Sequence, residues 1–161
     1  MESKVLKFMV DHNVGKLAKW LRMVGYDTRF FTGENDSDMV AAALNEHRII
    51  LTRDTQIARR RLACRGQLKV ILIRSDRLPA QIQQTLDEVP LNKNDFRPFS
   101  LCLEDNQPLL KHGKEELKDR IPPYVYQTQN EFVECPLCHR IYWKGTHWQN
   151  MMTKISNFKN Q

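Results

Sequence analysis

FMVDHNVGKLAKWLR, residues 8–22, runs from an apolar extended stretch through Asp11 into a basic amphipathic helix that begins near Val14. From Val14 the apolar positions Leu17, Ala18, Leu21 and Val24 recur at helical spacing, so this stripe faces a core. Lys16 and Lys19 fall on the opposite side, and Trp20 sits at the edge of the stripe. A buried strand that delivers one carboxylate to the lip of a sheet reads as one piece of a metal site. On this stretch alone, a turn or N-cap aspartate at a strand-to-helix junction explains Asp11 equally well.

Working outward, residues 1–90 alternate between strand and helix patterns. Val5–Val10 reads as the first strand, and the helix from Val14 ends near Gly25. Asp27–Phe31 is short and extended, and Thr32–Asp36 is a polar loop. Ser37–Glu46 reads as a helix with Asp36 or Ser37 as its cap. RIILT, residues 48–52, is a buried strand ending at Arg53-Asp54, and Thr55–Cys64 is an arginine-rich helix. Lys69–Ile73 is the fourth strand, and Pro79 opens a helix through Leu86. Strands and helices alternating in this way imply a parallel sheet with right-handed crossovers, an α/β layer fold.

Past Pro90 the pattern changes. Prolines at 98, 108, 122 and 123 interrupt the chain, and three of its four cysteines lie here. Leu91–Phe99 reads as a connection, and residues 100–150 as a small β-rich module that needs a metal to fold. The expected organisation is therefore one domain over residues 1–90 and a second unit over residues 91–161.

At 161 residues the chain is long enough for one real core with a small appendage. Its 27% charged and 41% hydrophobic residues argue against disorder. A net charge of +6 and a pI near 9.3 favour a polyanionic partner. No apolar run approaches the roughly 18–20 residues of a membrane span, and the N-terminus is too broken by charge for a secretory signal. The four cysteines, two of them in a Cys-x-x-Cys, suit a reducing, cytoplasmic compartment and a metal rather than a disulfide framework.

In an open parallel sheet, ligands bind at the carboxyl ends of the strands. Asp11 ends the first strand, Asp36 and Asp38 follow the second, Asp54 ends the third and Asp76 follows the fourth. Such a gathering of like charges needs a cation. Hard oxygen ligands suit Mg²⁺ or Mn²⁺, whose usual work is hydrolysis of phosphate esters. Asp36 read alone is a helix cap, Asp38 is an acid placed well for a helix dipole, and Asp76 is the weakest candidate. Between Asp54 and Asp76 there is no acid, while Arg59, Arg60, Arg61, Arg65, Lys69 and Arg74 occur. A basic helix beside carboxylates would hold a phosphate backbone next to the metals.

Cys135-Pro-Leu-Cys138 reads as a zinc knuckle. Its partner half begins at Cys102, with Asp105 where a second cysteine would stand. Cys102, Asp105, Cys135 and Cys138 form the expected zinc set, and His112, His139 and His147 are alternative fourth ligands. Cys64 reads as a buried filler.

VDHNVGKLAKWLRMVGYDT, the loop around Asp36, RIILTRD, PFSLC, DRIPPYVYQTQNEFVECPLC and RIYWKGTHW together resemble the Mut-seven C-terminal ribonuclease family, from about Lys7 to Met152. The resemblance implies a PIN-like nuclease domain, hence a three-layer α/β architecture, with a zinc ribbon. It implies a metal-dependent ribonuclease, with Asp11, Asp36 and Asp54 as acidic site positions and Asp38 at a commonly acidic one. It carries over Lys16, Arg22 and Arg53 as basic positions near the site. Family members occur freestanding and as parts of larger exonuclease-like chains. The sequence departs from the family pattern at Asp105, and at His139, where glycine is usual.

The leading expectation is thus an Mg²⁺- or Mn²⁺-dependent ribonuclease whose Lys16, Lys19, Arg22, Arg53, Arg59, Arg60 and Arg61 contact RNA. The alternative is a non-catalytic RNA-binding module using the arginine helix and the ribbon. A receiver-type signalling domain is disfavoured, because His12-Asn13 follow Asp11 where a second acid belongs.

Overall fold

The computed structural model describes residues 5–59, 66–146, 148–150 and 153. Four parallel strands form the first sheet: β1 (Phe8–Val10), β2 (Thr28–Phe30), β3 (Ile49–Thr52) and β4 (Val70–Leu72), in the order β2-β1-β3-β4. Val10 is level with Phe30 on one side and Leu51 on the other, and Leu51 with Ile71. Helices α1 (Gly15–Met23), α2 (Asp36–Glu46), α3 (Thr55–Ala58) and α4 (Leu78–Glu88) connect or follow these strands.

Successive strand residues point to opposite faces of a sheet, and two cores divide accordingly. Phe8, Val10, Leu51 and Ile71 pack with Leu17, Leu21, Ile82 and Leu86 of α1 and α4. Met9 and Ile50 pack with Met39, Val40 and Ala43 of α2 and Ile57 of α3. The result is a three-layer α/β/α unit, as expected. Strands buried on both faces read as near-continuous apolar runs, which is why RIILT stood out.

The strands are shorter than their apolar runs. The first begins at Phe8 rather than Val5, and a 3₁₀ turn at His12–Val14 precedes α1. Helix α2 is capped by Asn35, whose side chain accepts from the Ser37 N–H at 2.8 Å, not by Asp36 or Ser37. Residues 60–65, on which the rest of the expected arginine helix, Arg60, Arg61 and Cys64 fall, lie outside the described residues, as does His147. Trp20, placed at the edge of the α1 stripe, is fully inside it and meets Phe96 edge-on at 6.0 Å.

Past Leu91 a second sheet follows, antiparallel, of β5 (Leu110–His112), β6 (Phe132–Glu134) and β7 (Ile141–Tyr142) in that order. A 3₁₀ helix (Lys114–Arg120) and α5 (Pro123–Thr128) lie between β5 and β6, and Leu117, Ile121 and Val125 pack against Phe132. The segment is thus a mixture of strands and helical turns rather than simply β-rich. No helix among the described residues is long and apolar enough to cross a membrane.

The first sheet's unit is tied to the 97–106 segment that precedes the second sheet. Gly25 adopts φ 100°, and a side chain there would meet the Arg97 carbonyl oxygen at 2.7 Å. The Arg97 N–H bonds the Val24 carbonyl at 2.7 Å. The Thr28 N–H donates to the Asn106 side chain at 3.0 Å, and Asn106 donates to Asp27 at 2.6 Å.

Candidate active site and metal centre

The strand order places a topological switch between β1 and β3. The chain leaves β1 through α1 on one face to reach β2, then returns through α2 on the other face to β3. Connections on opposite faces part at this seam, and their carboxyl ends open a crevice where α/β sheets bind ligands. Asp11 and Thr52 stand at that seam, one residue beyond the paired Val10 and Leu51.

Asp11 is 8% exposed. Its Oδ1 accepts from the Asn13 N–H at 3.0 Å, and its Oδ2 accepts from the hydroxyl of the fully buried Thr52. Thr52 Oγ1 in turn accepts from the Asp54 N–H at 3.0 Å. Asp54 caps α3, its Oδ1 accepting from the Gln56 N–H at 2.8 Å. One hydroxyl therefore holds both the side chain of Asp11 and the backbone of Asp54. Thr52 was read from sequence only as the end of a strand, yet its position just before Arg53-Asp54 is where a hydroxyl reaches both.

Asp36 opens α2 half-buried, and Asp38 is exposed in the same turn. Asp11, Asp36 and Asp54 do not draw all their donor atoms within 4.8 Å of one another. Directly after Asp11 in the chain, His12 and Asn13 join Lys16, Lys19, Arg22 and Asp76 in lining an open cleft of about 560 Å³. Lys16 is exposed at this cleft, and Lys19, also exposed, pairs with Glu104 at 2.9 Å. Asp76, the weakest candidate, shares the lining with both lysines. Arg53, which precedes Asp54 in the chain, carries a buried Nη1 with no hydrogen-bond partner among the described residues. Arg59 is exposed just beyond α3.

Arg22 lines the same cleft, while most of its side chain is buried and its guanidinium bonds the protein's own backbone. It is 6% exposed, its Nε donating to the Thr28 carbonyl at 2.9 Å. Its Nη1 donates to the carbonyls of Leu103 and Glu104 at 2.8 and 3.1 Å. Burial lowers its pKa, opposed by Cys102, Glu104, Asp105 and Asp27 nearby. The guanidinium clasps α1 and β2 to the 103–104 loop, because planar forked donors suit several converging carbonyls.

That loop belongs to the second site. Cys102, Asp105, Cys135 and Cys138 bring their donor atoms within 4.8 Å of one another and form the one such group among the described residues. Cys102 Sγ lies 3.7 Å from Cys138 Sγ and 3.8 Å from Asp105 Oδ2, and Cys135 Sγ lies 3.5 Å from Asp105 Oδ2. The Tyr142 hydroxyl is 3.3 Å from Cys102 Sγ. Hydrogen bonding to the Asp105 carboxylate pushes the Cys138 thiol up to about 12 and, with Cys138 the largest influence, holds Asp105 below the usual carboxylate range. This group could bind a metal ion. Neither His112 nor His139 belongs to it: His112 bridges Glu116 and Glu134 at 2.8 and 3.1 Å. His139 adopts φ 64°, the left-handed conformation for which glycine is the usual residue.

A family model described as the Mut7-C RNAse domain matches residues 6–155 of the chain. No curated protein and no solved structure matches it.

Proposed function

This chain belongs to the Mut7-C RNAse domain family, and from that premise we propose that it hydrolyses RNA phosphodiester bonds at the β1–β3 switch point. The observation that carries the reading is the Thr52 hydroxyl joining Asp11 and Asp54 at the seam where an α/β sheet binds its ligand. In this reading residues 1–90 are a PIN-like nuclease domain, and residues 91–161 supply the ribbon.

Asp11, Asp36 and Asp54 would hold Mg²⁺ or Mn²⁺, with Asp38 beside them. The donor set fits such an ion, being carboxylate oxygen only, and Mg²⁺ keeps waters between itself and some of its ligands. Bound there, the ion lowers the pKa of water and stabilises charge on the leaving oxygen. The protein's own part is orientation. Thr52 and the Asn13 N–H fix both oxygens of Asp11, so the carboxylate presents its remaining lone pairs outward. Arg53 supports the reading, since an unpartnered buried donor next to Asp54 is costly until an anion such as a phosphate meets it. Lys16 and Lys19 line the adjoining cleft, where they suit a phosphate backbone. Arg59 extends that basic border.

We infer zinc for the Cys102, Asp105, Cys135 and Cys138 group. Tetrahedral zinc separates two sulfurs by about 3.8 Å, and a sulfur from a carboxylate oxygen by about 3.5 Å. The observed separations of 3.7 Å between sulfurs and 3.5 and 3.8 Å to Asp105 match those edges. Its role is structural, because the Arg22 clasp ties the loop carrying Cys102 and Asp105 to α1 and β2.

The wider spacing of the three carboxylates favours the second reading, an RNA-binding module without catalysis. A cleavage assay on single-stranded RNA with Mg²⁺ or Mn²⁺ separates the two. Cleavage that needs the ion and is lost in Asp11→Asn and Asp54→Asn supports the nuclease; RNA binding without cleavage supports the module.

A further inference from the structure

The antiparallel sheet carries an aromatic cavity that the nuclease site does not use. Register places Lys111, Val133 and Tyr142 on one face, while Phe132 on the other face packs beneath Leu117, Ile121 and Val125. A cavity of about 380 Å³ is lined by Phe99, Leu101, Tyr124, Tyr142, Trp143 and Trp148. The Phe99 and Trp148 rings lie 5.4 Å apart at 37°. Tyr124 is 68% exposed. The Trp148 Nε1 is buried and has no hydrogen-bond partner among the described residues. A neighbouring cleft shares the walls of Phe99, Tyr142 and Trp148 and adds Lys111 and Lys144. Lys144 stands 5.2 Å from the Trp148 ring centre and 3.4 Å from Glu131.

We propose that this cavity receives an unpaired base of single-stranded RNA. The identity of the polymer rests on the ribonuclease reading. An aliphatic chain would fill the space but leave the indole N–H unpaired, at a cost. A nucleobase supplies both a flat π face for the aromatic walls and a carbonyl or ring nitrogen for Trp148 Nε1. Lys111 and Lys144 then meet the flanking phosphates, as basic residues do along single-strand grooves. The volume lies within the usual range for a ligand pocket. The cavity adjoins the metal centre through Tyr142, whose hydroxyl touches Cys102, so the ribbon presents a base-binding wall beside its structural ion.

The test is fluorescence anisotropy on the full chain without added Mg²⁺ or Mn²⁺, comparing labelled oligouridylate with an abasic oligomer of the same length. The base-bearing strand is expected to bind about ten-fold more tightly. Tyr124→Ala and Trp148→Ala should each weaken it about five- to ten-fold while leaving the abasic strand unchanged. Trp148→Phe, which keeps a ring and loses the donor, should fall between. Tyr124 is exposed, so its variant keeps the test intact if Trp148→Ala does not fold. Equal affinity for both strands, no measurable binding, or variants that weaken both strands alike would overturn the proposal. Cleavage is read separately. A chain that prefers bases but never cleaves leaves the cavity standing and removes the nuclease reading, and a cleaving chain without base preference does the reverse.

Discussion

The hydroxyl of Thr52 donates to Oδ2 of Asp11 across the seam between β1 and β3, and the Thr52 Oγ1 itself accepts from the Asp54 N–H. A threonine hydroxyl offers one donor and two acceptor sites, so one buried atom sets two acids that lie 43 residues apart in the chain (54 − 11). Thr52→Val keeps the shape and removes both bonds. It is expected to destabilise the fold by about 1–3 kcal/mol. RNA cleavage should also become dependent on a higher concentration of Mg²⁺ or Mn²⁺, and Thr52→Ser should restore it. A purely structural role for Thr52 would move the melting temperature and leave the metal dependence of the rate unchanged.

Arg22 separates clasp from contact. Arg22→Lys keeps the charge but loses the fork that serves Thr28, Leu103 and Glu104 together. A loss of about 1–3 kcal/mol in unfolding free energy is expected, with RNA affinity within about two-fold of the parent. A large fall in affinity with unchanged stability would return Arg22 to the phosphate contacts.

The surroundings of Arg22 mark the limit of local sequence pattern. The α1 stripe, the four parallel strands and the acids at the strand ends follow from local periodicity and register, and these were readable in advance. Arg22 sits one residue off the stripe, where a basic side chain reads as solvated. What buries it is a loop 81 residues onward, and no local pattern encodes a carbonyl delivered from that distance. The same holds for Thr52, a routine strand residue until β1 is paired beside it. Cys102 and Asp105 were recognisable because metal spacing is itself local, whereas the aromatic cavity draws its walls from separate segments.

Asp27 gives the fold an acid-sensitive joint. Burial raises its pKa, but hydrogen bonds from Arg48 and Asn106 outweigh this and hold the carboxyl below its ordinary 3.8. A pKa depressed by folding contributes stability above the unfolded value, and that stability is lost as pH falls through the folded one. The unfolding free energy measured with denaturant should therefore fall as pH drops below about 4, and Asp27→Asn should flatten that decline. At neutral pH the variant is expected to cost about 1 kcal/mol, a figure discounted because the Asp27 side chain is 40% exposed. An unchanged acid limb would show that the Arg48–Asp27–Asn106 joint contributes nothing.

The cysteine group makes its own prediction. Purified protein should carry an equimolar amount of zinc by elemental analysis, and chelation should lower its melting temperature. Asp105→Cys, which supplies a fourth thiolate, should retain zinc against a chelator longer than the parent does, and Asp105→Ala should lose it faster. Zinc content well below half an equivalent in the parent would contradict a four-ligand site.

The central claim is that Asp11, set by Thr52 at the β1–β3 seam, works with a divalent ion to cleave RNA. The most direct measurement is the single-turnover cleavage rate of a single-stranded RNA by the parent and by Asp11→Asn, each titrated with Mg²⁺ and Mn²⁺. The account predicts ion-dependent cleavage by the parent, a loss of at least about 100-fold in the variant, and RNA affinity retained in both. Cleavage that proceeds without the ion, or that survives Asp11→Asn at the parent rate, would contradict it.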